Sequence, residues 1–146
     1  MGKKFIIYQM LPRLFGNRNS NCVHNGSLAE NGSGKFCDIS VKVLEELKKL
    51  SVTHLWYTGI IRHATDGDTT AKGKAGSPYA IKDYYDVNPY MAAHPENRME
   101  EFEELVRRTH SQGLKVLIDF IPNHLSREYD SAVNPFDDGN FYPGRI

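Results

Sequence analysis

The chain has 146 residues, 40% hydrophobic and 25% charged, a balance that can bury the core of one ordinary domain. Its 18 basic and 18 acidic side chains cancel, so no long-range field draws it to nucleic acid or to an anionic membrane, and neither is expected as a partner. No apolar stretch approaches the ~20 residues that span a bilayer, and no signal-peptide core follows Met1; as written the chain reads as cytoplasmic, with a secreted or periplasmic location the alternative if a signal peptide has been removed.

Phe5-Ile-Ile-Tyr-Gln-Met10 is a β-branched and aromatic run stopped by Pro12, and it predicts a first strand. Residues 16–38, rich in Asn, Gly and Ser, predict a long loop. Cys22 and Cys37 match neither a disulfide scaffold nor a zinc motif and read as free thiols. A helix is predicted at about Ile39 to Leu50, with Asp38 as N-cap and Val43, Leu44, Leu47 and Leu50 on one face. Val52 to Thr58 predicts a second strand closed by Gly59, with Trp56 in its core, and a second long loop runs to about Ser77. Glu96 to His110 carries Met99, Phe102, Leu105 and Val106 at helical spacing, acids early and bases late, with Gly113 as the stop. The charges from Glu100 to Arg108 read as a solvated helix face.

Lys115 to Ile121 predicts a third strand, nearly continuous in apolar residues as suits a parallel strand covered on both faces. Pro122 ends its pairing, so Asp119, Asn123 and His124 emerge at its carboxyl edge, where α/β folds place their chemistry. After His124 the chain turns polar, with no closing helix or strand. The alternation β, loop, α, β, long loop, α, β predicts an α/β fold: a parallel sheet built by right-handed crossovers with helices outside.

In this order the segments resemble the catalytic domain of the α-amylase family of glycoside hydrolases. Ile7-Tyr-Gln-Met-Leu-Pro-Arg13 resembles that family's first barrel strand, and Leu47 to Thr58 its first helix running into the second strand. Pro78-Tyr-Ala-Ile-Lys-Asp-Tyr-Tyr-Asp-Val-Asn-Pro89 resembles the active-site segment after the second strand, and Asp119-Phe-Ile-Pro-Asn-His124 the first short signature region. The resemblance implies a partial (β/α)8 TIM barrel, about the first three β/α units, over residues 1–124, with 125–146 opening the protruding domain after the third strand.

The same resemblance implies the roles. Tyr79 is the aromatic platform for the sugar at the cleavage site, and His124 hydrogen-bonds hydroxyls of that sugar. Asp119 is a supporting group that orients the site rather than a catalytic carboxylate. Asn123 matches a position that ligates calcium in calcium-dependent members, through a neutral oxygen. The nucleophile and general acid of a retaining mechanism have no counterpart in this sequence, so no catalytic residue is assigned. Asp83 and Asp86 are placed on a loop, where no spacing enforces a carboxylate pair.

Three functions follow. One is an α-glucan-active glycoside hydrolase (starch, maltooligosaccharides) to which this chain contributes the front of the barrel, inactive alone. Another is a non-catalytic carbohydrate-binding or self-associating α/β module, pairing through an open sheet edge. The third is metal-dependent phosphoester hydrolysis by Asp119, Asn123 and His124.

Overall fold

The computed structural model describes residues 4–65 and 76–135. Its centre is a three-stranded parallel sheet, β1 (Ile7–Met10), β2 (His54–Tyr57) and β5 (Lys115–Ile118), in the order β1-β2-β5. Ile7 pairs with His54 and Met10 with Tyr57; His54 pairs with Lys115 and Tyr57 with Ile118. Parallel neighbours need a crossover, and here α2 (Val41–Lys49) and α3 (Arg98–Ser111) supply it. Sequence and structure agree on an α/β fold with helices outside.

β2 alternates in burial. Leu55 and Tyr57 are fully buried toward the helices, while His54 and Trp56 face the other way and are partly exposed. Leu44 and Leu47 of α2, Leu105 of α3, Phe36, Ile60, Met91 and Leu114 complete the core. Burying each such leucine contributes roughly 1.5–3 kcal/mol. Inside the core, Tyr57 Oη lies 2.7 Å from Thr109 Oγ1. Burial pushes the Tyr57 hydroxyl up to about 12, against the Thr109 hydrogen bond and the Arg108 charge.

Several sequence expectations change. The N-cap of α2 is Ser40, whose hydroxyl accepts from the Val43 amide; Asp38 instead accepts the Lys35 N–H at 2.7 Å and closes a 3₁₀ turn, Phe36–Asp38. Leu50 is 68% exposed and lies off the core face. Within the expected 16–38 loop lies α1 (Leu28–Asn31), capped reciprocally by Ser27 and Glu30. Trp56 is not core. The loop expected from Gly59 to about Ser77 holds β3 (Ile61–His63), and its residues 66–75 lie outside the described residues; β4 (Ile81–Val87), where Asp83 and Asp86 were placed on a loop, pairs with β3 in an antiparallel hairpin. Register irregularities at Arg62 hide its alternation from a period-two reading. Asp83 and Asp86 therefore sit in a strand, at 4% and 9% exposure.

β5 is not covered on both faces: Leu117, Ile118 and, just beyond, Phe120 are exposed, because among the described residues β5 is a sheet edge with no layer over its second face. Ile7 on β1, the other edge, is exposed too. The charges of α3 are only partly a solvated face. Glu103, Glu104 and Arg107 pair in solvent, but Glu101 caps the Ala93 and His94 amides at 2.7 Å each, and Arg108 donates to the Phe36 and Ile39 carbonyls at 3.0 Å each. Cys22 and Cys37 are free and exposed. No helix of the described residues is long and apolar enough to cross a membrane.

Candidate functional site

The carboxyl ends of β2 and β5 meet at Asp119. Its Oδ1 accepts the Trp56 indole N–H at 2.6 Å, and its Oδ2 accepts the Gly59 amide at 3.1 Å. Both carboxylate oxygens are thus held by the neighbouring strand, and the group acts as a brace between strand ends. An indole partly out of the core needs a partner for its N–H, and that requirement was the sequence signal for Trp56.

Gly59 links this brace to the next layer. Its φ of +76° suits glycine, and a Cβ there would stand 3.0 Å from the Pro78 Cβ. Pro78 therefore packs directly over the end of β2, and Tyr79 follows it. Around Tyr79, the Tyr79 amide donates to Ser77 Oγ at 3.3 Å, the Ala80 amide to the Ser77 carbonyl at 3.0 Å, and the Ala64 amide to the Ala80 carbonyl at 2.9 Å. The Tyr79 side chain is 46% exposed, above this turn.

His124 arrives from the other side. Its Nε2 lies 2.9 Å from the Tyr79 carbonyl oxygen and its Nδ1 lies 3.0 Å from Asn123 Oδ1. The 121–124 turn is tied down by Tyr84, whose hydroxyl donates to the Ile121 carbonyl and, at 3.3 Å, to the His124 carbonyl. Beyond it, the Ser126 and Asp130 amides donate to the Ile81 and Lys82 carbonyls at 2.8 Å each, so the outgoing chain runs along β4. β4 is thus the mast of the site, leading in from Tyr79 and anchoring the turn that carries His124.

Of the four sequence-predicted residues, Tyr79, His124 and Asn123 come together through these contacts, and Asp119 stands at the strand ends joined to them through Gly59 and Pro78. Gly59 and Tyr84 were missed as site-builders; the hairpin they serve was itself illegible.

Three aspartates nearby, Asp83, Asp86 and Asp119, are engaged. Asp86 takes Arg98 Nε and Nη2 at 2.7 and 2.9 Å and Arg62 Nη1 at 3.3 Å. Burial acts to raise its pKa, but the Arg98 hydrogen bonds, the Val87 amide and the two arginine charges outweigh it and hold the carboxyl below its ordinary value. Asp83 Oδ1 accepts the Tyr85 amide at 2.9 Å. No free carboxylate pair results from Asp83, Asp86 and Asp119. For calcium, Asn123 offers one neutral oxygen, already directed at His124, and among the described residues no group of three or more His, Cys, Asp or Glu could hold a metal ion. The described residues alone do not fit a cation site, and nothing in the chemistry is routed through one.

Parallel strands with outer helices and polar groups gathered at their carboxyl edge define an α/β barrel-type scaffold. The chain belongs to the α-amylase family: the profile "Alpha amylase, catalytic domain" matches residues 9–142. It is 35% identical over 127 residues to trehalose-6-phosphate hydrolase of Bacillus subtilis, covering 87% of this chain and 18% of that protein. It is 29% identical over 123 residues to the human amino acid transporter heavy chain SLC3A1, covering 84% and 14%. Among solved structures it is similar to an α-amylase from Lactobacillus plantarum, with a TM-score of 0.61 and 29% identity, covering 88% of this chain and 25% of that one. The chain spans under a third of the length of these relatives. The homologues include glycoside hydrolases, and the fold is that of the opening units of the family's TIM barrel.

Proposed function

We propose that this chain forms the front of the barrel of an α-glycoside hydrolase acting on α-glucans such as starch and maltooligosaccharides. The observation that carries the reading is the contact between His124 Nε2 and the Tyr79 carbonyl, which joins two exposed residues, one aromatic and one imidazole, beyond the strands' carboxyl edge. Tyr79 offers its face to the apolar side of a pyranose. Nε2 of His124 stays on Tyr79, and Nδ1 exchanges its solvent-exposed Asn123 partner for a sugar hydroxyl. Asp119 keeps both strand ends in place and does not touch the scissile bond.

Retaining hydrolysis needs a nucleophile and an acid about 5–5.5 Å apart across the glycosidic bond. Asp83, Asp86 and Asp119 are all committed to structure, so none of these three supplies either group, and on this reading the chain alone is inactive. Residues 125–146 open the protruding domain, a role supported by the path of Ser126 and Asp130 along β4. The test is turnover of maltooligosaccharides by the 146-residue chain beside a full-length relative; robust turnover by the chain alone would defeat the assignment of the carboxylates.

A second reading is a self-associating module, in which a second copy of the chain covers the sheet. It is supported by the exposed Ile7, Leu117, Ile118 and Phe120 at the two sheet edges. Sedimentation decides it: a concentration-independent monomer removes this reading.

A further inference from the structure

We infer that Arg13, His63 and Tyr90 are positioning residues for Tyr79, holding the Gly76–Tyr79 segment near the end of β2 through one line of polar contacts. The inference rests on the reading of Tyr79 as the sugar platform. The line begins at Asn88, fully buried, whose Nδ2 donates to the Gly59 and Ile61 carbonyls at 3.0 and 3.1 Å and whose Oδ1 accepts the His63 amide at 3.2 Å. The His63 ring, on a residue 3% exposed, sets Nδ1 against the Ile61 carbonyl and the Asn88 amide and places Nε2 2.7 Å from Tyr90 Oη. The Arg13 guanidinium is near enough to the Tyr90 hydroxyl to act on its ionisation, and Arg13 Nη1 donates to the Gly76 carbonyl at 3.2 Å.

Each member comes from a different element. Arg13 follows β1, His63 ends β3, Tyr90 lies in the 3₁₀ turn Pro89–Met91, and Gly76 opens the segment that carries Tyr79. Gly76 has one way to sit: its φ is +71°, and a Cβ there would lie 1.8 Å from the Ala64 carbonyl oxygen. A satisfied buried network of this kind selects one arrangement of the segments it joins. Burial and the Arg13 charge keep the His63 ring neutral, despite the Ile61 carbonyl that favours a proton. Burial also raises the Tyr90 pKa, opposed only in part by Arg13, so the link remains a hydroxyl.

Amide hydrogen exchange on the 146-residue chain tests this, read at Ala64 and Ala80, whose N–H groups bond to Ala80 and Ser77 around the turn. Tyr90→Phe cuts the line and keeps the ring; Arg13→Met cuts it at a partly exposed side chain and carries the test if the first variant fails to fold. Tyr57→Phe, which removes a buried hydroxyl bonded to Thr109, is the control. The expected result is exchange roughly tenfold faster at both amides in Tyr90→Phe and Arg13→Met, and no selective change there in the control. Unchanged exchange in the two variants, or acceleration equal to that of the control, overturns the inference. A maltoheptaose titration of the same samples separates the two ideas: a turn that loosens where no sample binds saccharide overturns the platform reading and leaves the positioning of the turn standing.

Discussion

Acidification is expected to destabilise the folded chain through His63, and the size of the effect follows from the structure. The residue is 3% exposed, and its pKa is lowered to about 4 by burial, with the Arg13 charge adding to that and the Ile61 carbonyl opposing it. The unfolded chain returns the ring to about 6.5. The unfolded state therefore binds the proton first as pH falls. This penalty is absent above about pH 6.5, grows between about 6.5 and 4, and is constant below that. At 1.36 kcal/mol per unit, the loss between about pH 7.5 and about pH 4.5 is roughly 2.5 kcal/mol from this one group. Urea unfolding followed by circular dichroism at several values in that window measures it, for the wild type and for His63→Gln. The substitution lowers stability at neutral pH by breaking the Tyr90 and Asn88 contacts, but it removes the titration, so the two curves should converge as pH falls. Other titrating groups are common to both proteins and cancel in the difference. Parallel curves over the whole window would refute the reasoning.

Tyr79→Ala should weaken maltooligosaccharide binding about tenfold while leaving the urea midpoint nearly unchanged, because the side chain is 46% exposed; calorimetry and unfolding read the two effects separately. Trp56→Phe should cost about 1.5 kcal/mol by leaving Asp119 Oδ1 without its 2.6 Å donor, and should move the NMR signals of Gly59 and Tyr79 beyond those of the rest of β2. Asp86→Asn should cost on the order of 2 kcal/mol at neutral pH by leaving Arg62 and Arg98 without their carboxylate. Because the native pKa of Asp86 is lowered, its contribution is present above the ordinary carboxylate value and is lost as pH falls through the native one. Variant and wild type should therefore approach each other below about pH 4 in thermal unfolding.

The parallel sheet was legible because its strands are short apolar runs joined by segments of clear helical period, as in Val43, Leu44 and Leu47 or Leu105 with Phe102. The hairpin was not, because Ile81-Lys-Asp-Tyr-Tyr-Asp-Val87 has no simple alternation. Two of its buried positions are carboxylates, stabilised by the Tyr85 amide in one case and by two arginines in the other, and hydropathy cannot count such partners. The same limit applies at Ser40 and Asp38, where two capping residues stand two positions apart and only backbone geometry decides which one opens α2. Tyr79 and His124 were legible as a pair through family resemblance alone. Their spacing of 45 positions carries no local signal, and the contact between them depends on the unforeseen β4. His63 looked like one loop residue among many; burial, set by Asn88 and Tyr90, is what distinguishes it.

Aromatic-region NMR of the chain titrated with maltoheptaose decides whether Tyr79 and His124 form an α-glucan subsite. Saturable, dose-dependent shifts of the Tyr79 and His124 ring signals are expected, with Tyr57 in the core unmoved. Rings of Tyr79 and His124 that stay still at saccharide concentrations up to the order of 10 mM, the weak end of specific binding, would contradict the subsite.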